Sequence, residues 1–441
     1  MGAEYCRAQR HWAGVRAADE GAAQAPQKPA HAGKFLMGSV VWTATLALLG
    51  LNGAYLWQMV RFRGAWERQV ALGEEVKKKP LAIEVAVAAT EASRASGENE
   101  TPGFSIIVAA RNEADNLPHL LHDLQRQKPI SGGVELIIVD DHSTDNTANI
   151  VSQAEQDLPF PVRLVRLAQL PGAPTGKKAA VQAALQVARA PWVLLTDADC
   201  RVPAGWVQAY AELAAADATA RFISGPILLT GTGWLATLQG LELAGLVGVG
   251  AASIGLNRPT MCNGANLAYR RADFFAVNGY QGNEAVPSGD DEFLLHKLHA
   301  TFPGSIRFLA QEAALVRTAA QPTVHQLLRQ RVRWASKWRH YQTAAPQRLA
   351  VLVLLSNLTF PVGVGLWGVG VASGVGLLSA WALKLLADIL FLRPVLRFLG
   401  QPQWLWWVPV LQLAYGPYAL ATGLLGLRGS YEWKDRRLGA K

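Results

Sequence analysis

FSIIVAARNE (104–113), ELIIVDDHSTD (135–145) and WVLLTDAD (192–199) share one pattern: a short apolar run that stops abruptly at polar and acidic residues. Runs of this kind are strands buried on both faces. Between them lie helical stretches over 114–127, 146–156 and 178–188. The alternation predicts an α/β domain built on a mostly parallel sheet with flanking helices. In such sheets ligands bind beyond the carboxyl ends of the strands. Arg111-Asn112-Glu113, Asp140-Asp141-His142-Ser143 and Asp197-Ala198-Asp199 all fall there.

Outward from this domain the chain turns apolar. Of 441 residues, 17% are charged and 50% hydrophobic, against about 25% charged in an ordinary soluble chain, so part of it is expected to be solvated by lipid. Residues 35–60 carry no charge, and about 20 residues suffice to cross the hydrocarbon core. A signal peptide would have an apolar core of only about 7–15 residues, so the stretch reads as an N-terminal transmembrane helix. Residues 1–34 read as a disordered leader, with Met37 as an alternative start, and 61–102 as a linker. Residues 103–346 form the expected catalytic domain, 347–427 a C-terminal transmembrane region and 428–441 a basic tail.

Three spans are expected in that region, over 349–371, 373–392 and 404–427. Lys384 and Asp388, four apart on one helical face, can pair and so lower the cost of burial; the plainer expectation is a pair that snorkels near the interface. The stretch 234–256, interrupted by Glu242, is long enough to span. A crossing there would separate Asp197 and Asp199 from Asp290 and Asp291, so it is expected in the interface or the core. Arg61, Arg63, Arg68 and Lys77–Lys79 favour a cytoplasmic face after the first span. The basic tail favours the same face, yet four crossings place the two ends of the chain together on the other side, so one segment is re-entrant or miscounted. The net charge of +9, from 42 basic and 33 acidic residues, suits an anionic membrane surface or an acidic substrate such as a nucleotide diphosphate. Cys6, Cys200 and Cys262 have neither disulfide-framework nor zinc spacing, which fits a reducing compartment.

Four clusters could carry chemistry. Asp197 and Asp199 offer hard oxygens to Mg²⁺ or Mn²⁺ bridging substrate phosphates, or form a solvated turn. Asp140-Asp141 closes its strand, with Ser143 or Thr144 able to cap the next helix. Asp290, Asp291 and Glu292 either begin a helix or supply a general base whose pKa is raised by crowding. QLLRQRVRWASKWRHY (326–341) reads three ways: a nucleic-acid face with Trp334, Trp338 and Tyr341 interleaved, a membrane-hugging amphipathic helix, or a phosphate clamp of Gln330 and Arg333 on one face. GAPTGKK (172–178) lacks Walker spacing, and no H-E-x-x-H is present.

Taken in order, VAARNE (108–113), VDDHSTD (139–145), TGKKAAVQAAL (175–185), TDAD (196–199), CNGANLAYRR (262–271), SGDDEFLL (288–295) and QRVRW (330–334) resemble the family 2 inverting glycosyltransferases, over about residues 103–345. The resemblance implies a GT-A fold, a nucleotide-sugar donor (a UDP-sugar by preference) and a divalent cation, Mg²⁺ or Mn²⁺. Motif by motif it implies Ala109, Arg111 and Glu113 at the edge of the nucleotide pocket, Asp141 on the uracil or ribose, and Lys177 near the phosphates. It implies Asp199 on the metal with Asp197 beside it, and Asp291 or its neighbour Asp290 as catalytic base, Asp290 standing where the family often has Glu. Gln330 and Arg333 would meet the diphosphate; Trp334, Gly264 and Asn266 would line the acceptor site.

The membrane arrangement resembles the ceramide glucosyltransferase-like and carotenoid glucosyltransferase-like bacterial members. It implies a lipid or lipid-like acceptor, no nucleic acid, and a multi-pass inner-membrane protein with its catalytic domain facing the cytoplasm. The tail EWKDRR (432–437) resembles the W-K-G-R ending of some of these enzymes. A processive polysaccharide synthase is the alternative, although about four helices give little wall for a sugar channel. A non-catalytic scaffold or sugar-binding partner subunit would be expected to have lost its carboxylates.

Overall fold

The computed structural model describes residues 30–78, 101–170, 172–284, 286, 288–337, 344–426, 430–433 and 436–439. The leader before residue 30, most of the linker, Trp338, Tyr341 and much of the basic tail lie outside them.

Helix α1 (Ala30–Lys78) precedes a sheet domain that opens with β1 (Phe104–Ala110), α2 (Leu117–Gln125), β2 (Val134–Asp140), α3 (Thr147–Ala154) and β3 (Val162–Arg166). Then come α4 (Lys177–Val187), β4 (Trp192–Asp197), β5 (Cys200–Arg201), α5 (Trp206–Ala216), β6 (Phe222–Ser224), β7 (Ile227–Thr230) and α6 (Gly233–Gly255). The domain closes with β8 (Leu267–Arg270), α7 (Arg271–Ala276), α8 (Asp290–Thr301), β9 (Ile306–Phe308), β10 (Val316–Ala319) and α9 (Val324–Ala335). Helices α10 (Ala344–Gly368), α11 (Gly374–Phe398) and α12 (Val408–Gly426) follow.

The main sheet runs β3-β2-β1-β4-β8-β6-β9, with β8 alone antiparallel to its neighbours. Every residue of β2 is buried, as are all but one of β1, the double burial that the unbroken apolar runs call for. A second sheet, β5-β10-β7, flanks it. Register sets the site: Ala109 lies opposite Val139 on one side and Asp197 on the other, and Ala110 opposite Asp140. The polar ends of three strands therefore emerge side by side. Because β8 runs antiparallel, with Leu267 opposite Leu195, the residues leading into it arrive at the same edge.

Among the described residues five helices are long and apolar enough to cross a membrane: α1 from Met37, α6, α10, α11, and Pro402–Gly426, which contains α12. Helix α6 is the most enclosed of them, about half of it buried, and packs against α1, β7 and β9.

Two expectations change. The linker expected from residue 61 is helical through Lys78. Met59, Phe62, Ala65, Trp66 and Gln69 keep a buried stripe at helical spacing, and Trp66 packs on Phe308 and Phe398 at 5.9 and 5.4 Å between ring centroids. The Lys384–Asp388 pair does form, at 2.6 Å, but does not snorkel: Lys384 is 3% exposed. Tyr55 of α1 donates to Asp388 Oδ1 at 2.6 Å and Gln412 of α12 to Oδ2 at 2.5 Å, so the pair sits where three helices meet.

Candidate active site

The loops after β1 and β2 hold each other. Asn112 and His142 both adopt left-handed φ, +51° and +58°, a conformation that Asn and His tolerate better than most residues. The Asp141 amide donates to the Ala110 carbonyl at 2.8 Å, and Arg111 Nη1 to the Asp141 carbonyl at 3.0 Å. The Glu113 amide donates to Thr147 Oγ1 at 2.8 Å. Asp145, rather than Ser143 or Thr144, accepts from the Thr147 amide as α3 begins, at 3.0 Å. Gly176 takes φ +105° at the start of α4, which aims its amide at Asp141 Oδ2, 3.0 Å away.

Beyond this rim opens a cleft of about 1090 Å³, large enough for a nucleotide-sized ligand and part of a second one. Ala109, Arg111, Glu113, Asp141, Lys177, Asp197, Asp199, Gly264, Asp290, Asp291, Gln330, Arg333 and Trp334 all line it. Side chains as distant in sequence as Ala109 and Trp334 thus line one cleft.

Asn266 is the exception and corrects its expected acceptor role. It is fully buried, accepts from Trp206 Nε1 and the Tyr210 hydroxyl at 2.9 and 2.8 Å, and donates to the carbonyls of Pro226 and Ala314 at 2.7 and 2.8 Å. It clamps the sheet behind the cleft. Asn266→Ala is expected to lower the unfolding temperature, at roughly 1–3 kcal/mol per buried partner left unsatisfied, while the fraction that stays folded binds nucleotide normally. Unchanged melting would remove the clamp.

At the centre, Lys177 Nζ lies 2.5 Å from Asp197 Oδ1 and 3.9 Å from Asp290 Oδ2. Burial opposes its charge, but Asp197 and Asp290 outweigh that and hold Lys177 well above the usual lysine range. Asp290 is pushed up, by burial first and by the neighbouring Asp291 and Asp197 carboxylates, against the pull of Lys177. Asp291 is oriented differently: the Gly264 amide donates to its Oδ2 at 2.7 Å, and no cation among the described residues forms an ion pair with it. The Glu292 amide donates to Asp291 Oδ1 at 2.8 Å, so a backbone amide holds each oxygen of the Asp291 carboxylate.

Asp197 ends β4 and Asp199 begins the turn to β5, so two carboxylates reach the cleft from one strand end. Among the described residues no group of three His, Cys, Asp or Glu side chains is arranged to hold a metal. The hard-oxygen pair suits an ion such as Mg²⁺ or Mn²⁺ that takes one or two carboxylates and completes its shell with phosphate and water.

On the opposite wall, α9 is capped by Thr323, whose hydroxyl accepts from the Gln326 amide. Its basic residues divide by partner: Arg331 pairs with Glu242 at 2.8 Å and Lys337, just past the helix, with Glu292 at 2.8 Å. Arg333 pairs with no carboxylate among the described residues, which leaves its guanidinium for an anionic ligand. Sequence reasoning missed Lys337, whose spacing of four from Arg333 was the available signal. It also missed Lys178, whose Nζ donates to the carbonyls of Asn283 and Val286 at 2.5 and 2.6 Å and so fixes the loop ahead of Asp290. Burial lowers the Lys178 amine to about 8, against the attraction of Asp290 and Asp291.

Comparison with known proteins assigns the family. The glycosyl transferase family 2 model matches residues 105–237, and that of glycosyl transferase family group 2 matches residues 192–419. A dolichyl-phosphate beta-glucosyltransferase of Dictyostelium discoideum is 34% identical over 113 residues, covering 23% of this chain and 33% of the relative, so the match spans about a third of that relative's length. Among solved structures, the mannosyltransferase PcManGT of Pyrobaculum calidifontis, in complex with GDP-Man and Mn²⁺, aligns at 18% identity and TM-score 0.48, over 88% of this chain and 99% of that one. TarS 1–349 of S. aureus aligns at 17% and 0.39, over 76% and 95%. Scores under 0.5 carry no functional weight. The family group model alone covers over half of the chain, and on that match the chain belongs to glycosyl transferase family group 2 and is a glycosyltransferase.

Proposed function

We propose that the chain moves a sugar from a nucleotide-sugar donor, a UDP-sugar, to a hydroxyl of a lipid or lipid-like acceptor, in one inverting displacement within a GT-A-type domain held at a membrane. The observation that carries this is the shared cleft, which gathers Asp197, Asp199, Asp290, Asp291, Lys177 and Arg333 around one space. The apolar helices and the activity of the Dictyostelium relative, a dolichyl-phosphate beta-glucosyltransferase, support a lipid-linked acceptor. The basic residues that follow the first apolar stretch support an inner-membrane, cytoplasm-facing site.

In this reading Asp141, braced by the Gly176 amide, receives the nucleoside, with Ala109, Arg111 and Glu113 around it. A divalent ion on Asp199 and Asp197 would stabilise negative charge on the departing diphosphate. Arg333 and Gln330 face the same diphosphate from α9, and Lys177 exchanges part of its hold on Asp197 for a phosphate oxygen. Asp291 takes the proton of the acceptor hydroxyl, while Trp334 and Gly264 shape the acceptor's approach. The sugar carbon is then attacked from the face opposite the leaving group, which inverts its configuration.

Membranes carrying the protein, incubated with a panel of labelled nucleotide sugars, are expected to place label in the organic phase. Label in polymer instead would make the enzyme a processive synthase, and no transfer from any donor would sink the reading. Excess chelator is expected to abolish transfer; undiminished turnover would remove the metal role of Asp199 and Asp197.

A further inference from the structure

Glu242 is the one charged residue of α6, a helix otherwise apolar enough to cross a membrane. Its side chain is 10% exposed and that of Arg331 5%. Arg331 donates to Glu242 Oε2 twice, from Nε at 3.0 Å and Nη2 at 2.8 Å, and the Tyr418 hydroxyl of α12 donates to Oε1 at 3.2 Å. One carboxylate therefore joins α6, α9 and α12.

Neither Glu242 nor Arg331 lines the cleft, but the two residues that Arg331 touches on its own helix do. Arg331 Nη1 donates to Gln330 Oε1, and its guanidinium lies 4.2 Å from the centre of the Trp334 ring. A guanidinium is planar, so two bonds to one carboxylate oxygen on one edge restrict the plane that stacks on the indole. An apolar pair of equal volume would hold the helices together as well or better; it would not orient Gln330 and Trp334.

We infer that Glu242 is a positioning residue: through Arg331 it orients Gln330 and Trp334 in the cleft and ties them to α6 and α12. The inference rests on the function proposed above, in which those two residues meet diphosphate and acceptor.

The test is Glu242→Gln in the full-length protein, with Glu242→Asp as the conservative variant. Glu242→Gln is expected to lower kcat and raise acceptor KM by about tenfold together, with Mn²⁺–UDP binding in the absence of acceptor weakened by a smaller factor, through Gln330 alone. Glu242→Asp should recover part of the loss. Amide hydrogen exchange should rise in 324–335 and not in β1 or β2. In a Trp334→Ala background, Glu242→Gln should cost no more than about a further twofold, since residues acting through one another are not additive. Unchanged kinetics, a loss that multiplies with Trp334→Ala, or a fall in UDP binding with exchange raised throughout the protein would overturn the inference and leave a purely structural pair. Absence of any sugar transfer by the unmodified enzyme would overturn the functional reading itself, and the positioning claim with it; the exchange measurement separates the two failures, because it reports whether Glu242 holds α9 without reference to turnover.

Discussion

Asp291→Asn is expected to lower turnover by about 10²–10⁴-fold, the usual cost of losing a general base, with Mn²⁺-dependent UDP binding nearly intact. The amide keeps the shape and can still accept from the Gly264 amide, 2.7 Å from Oδ2, so the loop should stay in place while the proton acceptor disappears. Asp290→Asn supplies the contrast. Asp290 shares Lys177 with Asp197, so its loss should weaken donor binding as well as turnover. Full activity in Asp291→Asn would pass the role of base to Asp290.

The second large effect lies away from the cleft. Asp388→Asn leaves Lys384 buried without its counter-charge, 2.6 Å from where the carboxylate stood. Breaking a buried pair by removing one partner costs roughly 3–5 kcal/mol, so the variant is expected to melt well below the unmodified protein in detergent. Replacing both, as Lys384→Met with Asp388→Leu, removes both charges and should recover most of the loss, less the bonds from Tyr55 and Gln412. Asp388→Asn melting with the unmodified protein would show that water reaches the pair.

The sheet and most of the cleft were legible because they depend on short-range signals. Strands buried on both faces leave unbroken apolar runs, and each of β1, β2 and β4 ends where polar residues begin. What was not legible depends on partners far along the chain. Arg331 and Glu242 are 89 residues apart, and nothing in either segment announces the other. Lys384 and Asp388 could be paired by spacing, but their burial is set by Tyr55 and Gln412 on other helices. Asn266 follows Gly264 by two residues; Gly264 faces the cleft, whereas Asn266 turns inward to Trp206 and Tyr210. In α1 the charges from Arg61 to Lys78 masked the stripe that continues through Phe62, Trp66 and Gln69.

Helix α1 runs for 49 residues without interruption, a length of about 73 Å at 1.5 Å per residue. Its early part lies along α11, and its later part is fastened to the sheet domain by Trp66 and by the bond from Gln311 to the Gly73 carbonyl. In the membrane arrangement proposed above, a continuous rod of this kind works as a ruler, fixing the height of the cleft above the lipid surface. One residue inserted between its two fastenings would swing the cleft by about 100°; seven would restore its heading to within about 20° and raise it by about 10 Å. The enzyme's reach is thus written into the number of residues in one helix.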